Sequence, residues 1–135
     1  MKQQNTLNFN LHRAGYAYLK NGLNDEGDSY INKHIEYCNS ILTSGRRTDI
    51  ISYTYYDLAG IYAFRGDKKK VYHNLRMFSK VENCFLYMLT LMKDDPMFST
   101  INTEPEFLEI LDVMTKKYAK VHEDVGKWLE KQEGY

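Results

Sequence analysis

The sequence predicts an all-α fold in which antiparallel helix hairpins stack on one another and a long C-terminal helix closes the stack. Three observations carry that prediction. Apolar residues recur three and four apart along most of the chain, the spacing of helices with one buried face. Only two prolines occur, Pro96 and Pro105. Runs of β-branched residues of the kind that fill strands are absent. With 135 residues, 43% of them hydrophobic and 14% aromatic, the chain can fill one core, and a single domain over 1–135 is expected.

The first helix is expected from Leu7 to about Leu19, ending in NGLNDEGD, a Gly/Asn/Asp-rich stretch read as a turn. Tyr30, Ile31, Ile35, Cys38, Ile41 and Leu42 form a second helical stripe that stops at SGRR, where Gly45 suits the left-handed cap position. A third helix is expected from near Asp49 to Phe64. Gly66 and Asp67 then turn the chain tightly into a fourth helix carrying Val71, Leu75 and Phe78, and the two form a hairpin.

SKVENC should loosen the chain and break the helix near 79–83. The alternative is one continuous helix, because Val81, Phe85, Met88 and Met92 keep the helical spacing. In DDPMFSTINTEPEFLEIL, the set Pro96, Phe98, Ile101 recurs as Pro105, Phe107, Ile110. Each proline suits the first turn of a helix, Asp95 supplies a capping oxygen, and Thr103 with Glu106 makes a capping-box pair. From Phe107 onward, Leu111, Met114, Tyr118, Val121, Val125 and Trp128 alternate spacings of four and three. This predicts one long amphipathic helix with a narrow apolar seam.

Charge and cysteine content exclude several classes of function. Eighteen basic and eighteen acidic residues leave zero formal charge, so no bulk field draws the chain to nucleic acid or to an anionic membrane. Cys38 and Cys84 lie in apolar helical patterns, where a thiol is a small buried hydrophobe, and no disulfide framework is indicated. MKQQNTLNFNLHRAG lacks an apolar segment with a cleavage site, and no window approaches the length of a bilayer span. A cytoplasmic protein is the expectation for the chain as given.

Common catalytic motifs are missing as well. No nucleophile elbow, phosphate-binding glycine loop, HExxH helix or paired CxxC occurs, so neither catalytic residues nor a cofactor is expected. His12, His34, His73 and His122 fall on separate predicted helices, without the helix-phased carboxylates of a di-metal bundle. His34 and Cys38 stand four apart, but two ligands do not make a zinc site. They are read as a core-facing cysteine beside a surface histidine, and no metal is expected. NGLNDEGD fails as a calcium loop: with Gly27 at the loop's glycine, Gly22 and Lys33 fall where ligands are required. DKKK at 67–70 and GRR at 45–47 read as solvated helix ends. Glu104, Glu106 and Glu109 flank a helix start, where the macrodipole favours negative charge. Met77, Met88, Met92 and Met114 keep helical spacing and read as core filler.

Tyr55-x-x-Leu58-Ala59-x-x-Tyr62, Gly66 in the turn, then Val71-x-x-x-Leu75-x-x-Phe78 resembles the tetratricopeptide-repeat (TPR) pattern. In such repeats a large residue fills a groove and a small one stands where a neighbouring backbone crosses. Valine and phenylalanine stand where that family usually has alanine. An earlier copy lies over it: Leu11-x-x-Ala14-Gly15-x-x-Tyr18, Gly22, then Ile31-x-x-x-Ile35-x-x-Cys38. The copies begin 44 residues apart, whereas the family's period is about 34, so the turns read as lengthened. MKDDPMFSTINTEPEFLEIL looks like the ending of many bacterial TPR arrays, in which two acidic-Pro-x-Phe units follow the last full hairpin.

The resemblance implies a right-handed superhelix made of a divergent first repeat at about 7–44, a second at 49–80, a short terminal unit at 81–104 and a capping helix at 105–133. It also implies a non-catalytic adaptor or scaffold that holds a peptide or protein segment on a concave face formed by the first helix of each pair. Carried over by pattern, that face holds His12, Tyr16 and Lys20 from one pair and Tyr53, Tyr56 and Gly60 from the other. Tyrosines there supply rigid contact area with a polar tip, and the plainer alternative is that they pack helix against helix. Family members that clamp a C-terminal carboxylate carry Lys and Asn where His12 and Tyr16 stand, which argues against that specificity. Two other readings follow from the residues. One is homodimerisation through Tyr118, Val121, Val125 and Trp128. The other is a small-molecule or glycan site in the tyrosine cluster, which a closed, deep pocket would favour.

Overall fold

The computed structural model describes residues 10–46, 50–81 and 86–133. Among them the chain is all-helical, with α1 (Leu11–Lys20), α2 (Asn24–Ser44), α3 (Ile51–Arg65), α4 (Lys68–Lys80), α5 (Leu86–Asp94) and α6 (Pro105–Glu133). A short 3-10 turn, Pro96–Phe98, joins the last two. The expected starts at Leu7 and Asp49, and Cys84, lie outside the described residues.

Two of the expected stops are set by glycine in the left-handed region: Gly45 (φ 61°) after α2 and Gly66 (φ 81°) after α3. At Gly66 the turn is tight because two backbone bonds close it, Gly66 N–H to Ala63 O at 3.2 Å and Asp67 N–H to Tyr62 O at 3.0 Å. The Asp67 carboxylate then accepts from Lys70 N and caps α4.

NGLNDEGD is not a turn throughout. Only Asn21–Leu23 lie outside helix, and α2 begins at Asn24 with Asp25 and Glu26 in its first turn, where negative charge favours a helix start. Gly27 sits inside α2 for a packing reason. A Cβ there would stand 2.9 Å from the Gly15 carbonyl oxygen and 2.5 Å from Leu19 Cγ, and a Cβ on Gly15 would stand 2.8 Å from the Gly27 carbonyl oxygen. The hairpin of α1 and α2 therefore crosses backbone to backbone at a glycine pair.

The break after α4 is real: Val81 is extended (φ −69°, ψ 131°), so a continuous helix through 79–83 is excluded. Val71, Leu75 and Phe78 are fully buried and join Ala59, Ala63, Met88, Met92, Phe98, Phe107 and Ile110 in the main core. Burying each large side chain in it is worth about 1.5–3 kcal/mol. The two proline units meet there, with the Phe98 and Phe107 ring centroids 5.6 Å apart. Of the four methionines read as filler, Met88, Met92 and Met114 are buried and Met77 is half-buried.

The capping box expected at α6 is not made. Glu106 bonds Arg76 of α4 at 2.8 Å, and Lys68 pairs with Glu104 at 3.0 Å. The α6 seam is buried at Phe107, Ile110, Leu111 and Met114 and half-buried at Tyr118. Beyond that point Val121, Val125 and Trp128 are 56%, 51% and 58% exposed. No helix among the described residues is long and apolar enough to cross a membrane.

Candidate functional site

A cavity of about 380 Å³ opens where α1, α2, α3 and α5 converge. Helix α1 contributes His12 and Arg13, α2 Tyr37 and Cys38, α3 Tyr53, Tyr56 and Asp57, and α5 Tyr87 and Leu91. On α3 the spacing of Tyr53, Tyr56 and Asp57 keeps all three on one face. The hydroxyls of Tyr53 and Tyr87 meet across the mouth.

Two carboxylates organise the polar wall. The first, Asp57, receives an imidazole from each of the preceding helices. His34 Nε2 lies 2.9 Å from Oδ2, and His12 Nε2 stands 3.4 Å from Oδ1, in ion-pair range but without hydrogen-bond geometry. The two imidazoles stack with centroids 4.2 Å apart and planes 23° from parallel. Both histidines are buried, whereas the Asp57 side chain keeps 18% of its surface open. Burial works to raise the Asp57 carboxyl, but the facing imidazoles outweigh it and hold the group below the usual carboxylate range.

The second carboxylate, Asp95, is buried at the end of α5. Arg13 grips it with Nη1 at 2.7 Å and Nη2 at 2.8 Å, Tyr56 donates its hydroxyl at 2.7 Å, and Met97 N–H donates at 3.1 Å. Burial opposes ionisation, yet these donors, with Arg13 foremost, hold Asp95 below the usual range. The same bond raises the Arg13 guanidinium further. Burial, and then the Asp95 charge, push the Tyr56 phenol well above its ordinary value, so it remains a donor. Desolvation pushes the Cys38 thiol up to about 12, with the charge of Asp57 adding to it. At neutral pH it is a thiol and a poor nucleophile.

The residues carried over from the repeat pattern divide. His12, Tyr53 and Tyr56 line the cavity, although His12 and Tyr56 are buried wall residues rather than an open face. Gly60 is outside the cavity lining: it is buried, and a Cβ there would touch Met97 Cβ at 3.4 Å. Tyr16 packs edge-on against Phe64 at 5.1 Å, and Lys20 lies over its ring, so this pair stands apart from the cavity lining. His34, read as a surface histidine, is fully buried, because the crossing of α2 over α3 brings it to Asp57.

Among the repeat-packing residues, Leu11, Gly15, Ile31, Cys38, Leu58, Ala59, Val71, Leu75 and Phe78 are buried, and Ala14, Ile35, Tyr55 and Tyr62 are half-buried. Tyr18, at 37% exposure, stacks on Tyr30 at the surface instead of filling a groove. Sequence reasoning missed Arg13, Tyr37, Asp57, Tyr87 and the wider role of Asp95. Asp57 carried a usable signal, as the only charged side chain between Ile50 and Phe64. Tyr87 carried none.

Comparison with protein-family models, with curated proteins and with solved structures finds no match.

Proposed function

We propose that the chain is a non-catalytic, TPR-like interaction module, an adaptor or scaffold that seats a side chain of a partner protein in the cavity between α1, α2, α3 and α5. The cavity itself carries this reading: four tyrosines from three helices border a concavity whose surface is mostly apolar, with a polar wall on one side, the composition of a recognition pocket. Its size suits one large side chain with its flanking backbone better than a long extended peptide. The tight hairpin at Gly66 and the buried Leu58, Ala59, Leu75 and Phe78 support the TPR-like part of the reading.

Selection from a displayed random-peptide library tests it. The expected result is an enriched motif bound by the wild type and weakened by about tenfold or more in Tyr53→Ala/Tyr87→Ala. These two rings are chosen because Tyr56 is committed to Asp95 and its loss would disturb the core. Absence of enrichment, or equal binding by the double variant, would sink the proposal.

A second reading is favoured by the exposed half of the α6 seam, whose heptad spacing fits a second copy of the helix. Light scattering over a range of concentrations separates the two. Mass that doubles with concentration, and stays monomeric in Val121→Asp/Trp128→Ser, supports self-association, and a constant monomer mass rules it out.

A further inference from the structure

We propose that His12, His34 and Asp57 form a binding site for one divalent transition-metal ion of the zinc class, with a coordination position open to the cavity. Imidazole and carboxylate are the ligand types such ions take, and three protein ligands with one open position is a recurrent arrangement. Here each ligand comes from a different helix, and the three ligand atoms all lie within 4.8 Å of one another.

The spacings fit. Two atoms each about 2.0–2.1 Å from a metal and about 90–110° apart are themselves about 2.9–3.4 Å apart. His34 Nε2 stands 2.9 Å from Oδ2 and His12 Nε2 3.4 Å from Oδ1, so each imidazole meets its own oxygen of the Asp57 carboxylate at a separation of that size. The third side, between the two histidine nitrogens, is no longer than 4.8 Å, and an ion would draw them closer.

The hydrogen bonding of His12 points the same way. His12 is buried, its Nδ1 has no hydrogen-bond partner among the described residues, and its Nε2 meets the Asp57 carboxylate only at 3.4 Å, outside hydrogen-bond geometry. Buried polar atoms are seldom left in that condition, because their lost hydration is then not replaced. A metal at the Asp57 carboxylate would give Nε2 a partner. Because Asp57 and His12 line the cavity, water or an incoming donor atom reaches the ion from that side. This site goes beyond the interaction proposal and does not depend on it.

The test uses the full chain stripped with a chelator and titrated with zinc chloride by calorimetry and with cobalt chloride by visible absorption. Expected are one ion per chain and a cobalt ligand-field spectrum of low coordination number. His12→Phe keeps a stacked ring, and Asp57→Asn keeps the shape. Each should weaken zinc binding by at least about 100-fold, at or beyond the upper end of what outer-shell changes cause, with helicity retained. His73→Ala/His122→Ala, which removes two exposed histidines, should bind as the wild type does. Should the buried substitutions prevent folding, long-range ¹H–¹⁵N spectra of the wild type decide, with zinc moving the ring nitrogens of His12 and His34. No stoichiometric uptake, uptake retained by both site variants, uptake lost from the His73/His122 control, or shifts confined to His73 and His122 would each overturn the proposal.

Discussion

A methyl group added at Gly15 and one added at Gly126 should have opposite effects. Both glycines are helical, and replacing such a residue by alanine normally stabilises by about 0.5–1 kcal/mol. Gly126 has nothing within 4 Å of its would-be Cβ, so Gly126→Ala is expected to deliver that gain. At Gly15 the new atom meets a backbone oxygen at 2.8 Å, which cannot step aside without moving α2, and overpacking of this kind costs about 1–3 kcal/mol. Urea denaturation followed by circular dichroism should show the midpoint falling for Gly15→Ala and rising for Gly126→Ala. Asp95 gives a second prediction. Because its folded pKa is depressed, it contributes stability that is fully present above the ordinary carboxylate value near pH ~4 and is lost as pH falls through the lower folded value. Asp95→Asn should cost on the order of 2 kcal/mol at neutral pH, less than a fully buried pair, since the Arg13 side chain is 37% exposed and screened. Its stability should also decline less steeply than the wild type's below pH ~4, and parallel pH profiles would contradict the assignment.

Single helices were legible where local chemistry decides them. Gly45 and Gly66 stop α2 and α3 because only glycine takes that backbone without strain, and the Val71, Leu75, Phe78 stripe reads correctly because one face of α4 is buried throughout. The start of α2 was not legible. Gly27 serves equally as a bend or as a crossing point, and the choice is made by Gly15, twelve positions earlier and on another helix. Periodicity likewise identified α6 but not where its burial ends, because the seam spacing continues unchanged past Tyr118, the last seam residue packed against the core among the described residues. The two halves of α6 should therefore respond differently to charge. Ile110→Asp buries an unpaired carboxylate and should unfold the chain at 25 °C, whereas Val121→Asp should shift the stability of a monomer by no more than about 0.5 kcal/mol in chemical denaturation.

Across the whole molecule, the site was hidden because its parts are far apart in sequence. His12, His34 and Asp57 are separated by 22 and 23 residues, one per successive helix. A search for ligands three or four apart on a single helix cannot find such a set, which exists only once α1, α2 and α3 are packed. The same dispersion gives the site leverage on stability: an ion held by three helices binds the folded chain alone, so the melting temperature should climb with zinc concentration. A melting temperature independent of zinc would count against the site. The free end of α6 has a different consequence. Residues 119–133 extend about 22 Å at helical rise, and the chain's only tryptophan, Trp128, stands on that stretch with its indole in water. Intrinsic tryptophan fluorescence is thus blind to the core: in the monomer, emission should stay at the red, solvent-exposed position before and after the core melts. A blue shift at constant temperature would report that something had docked on α6.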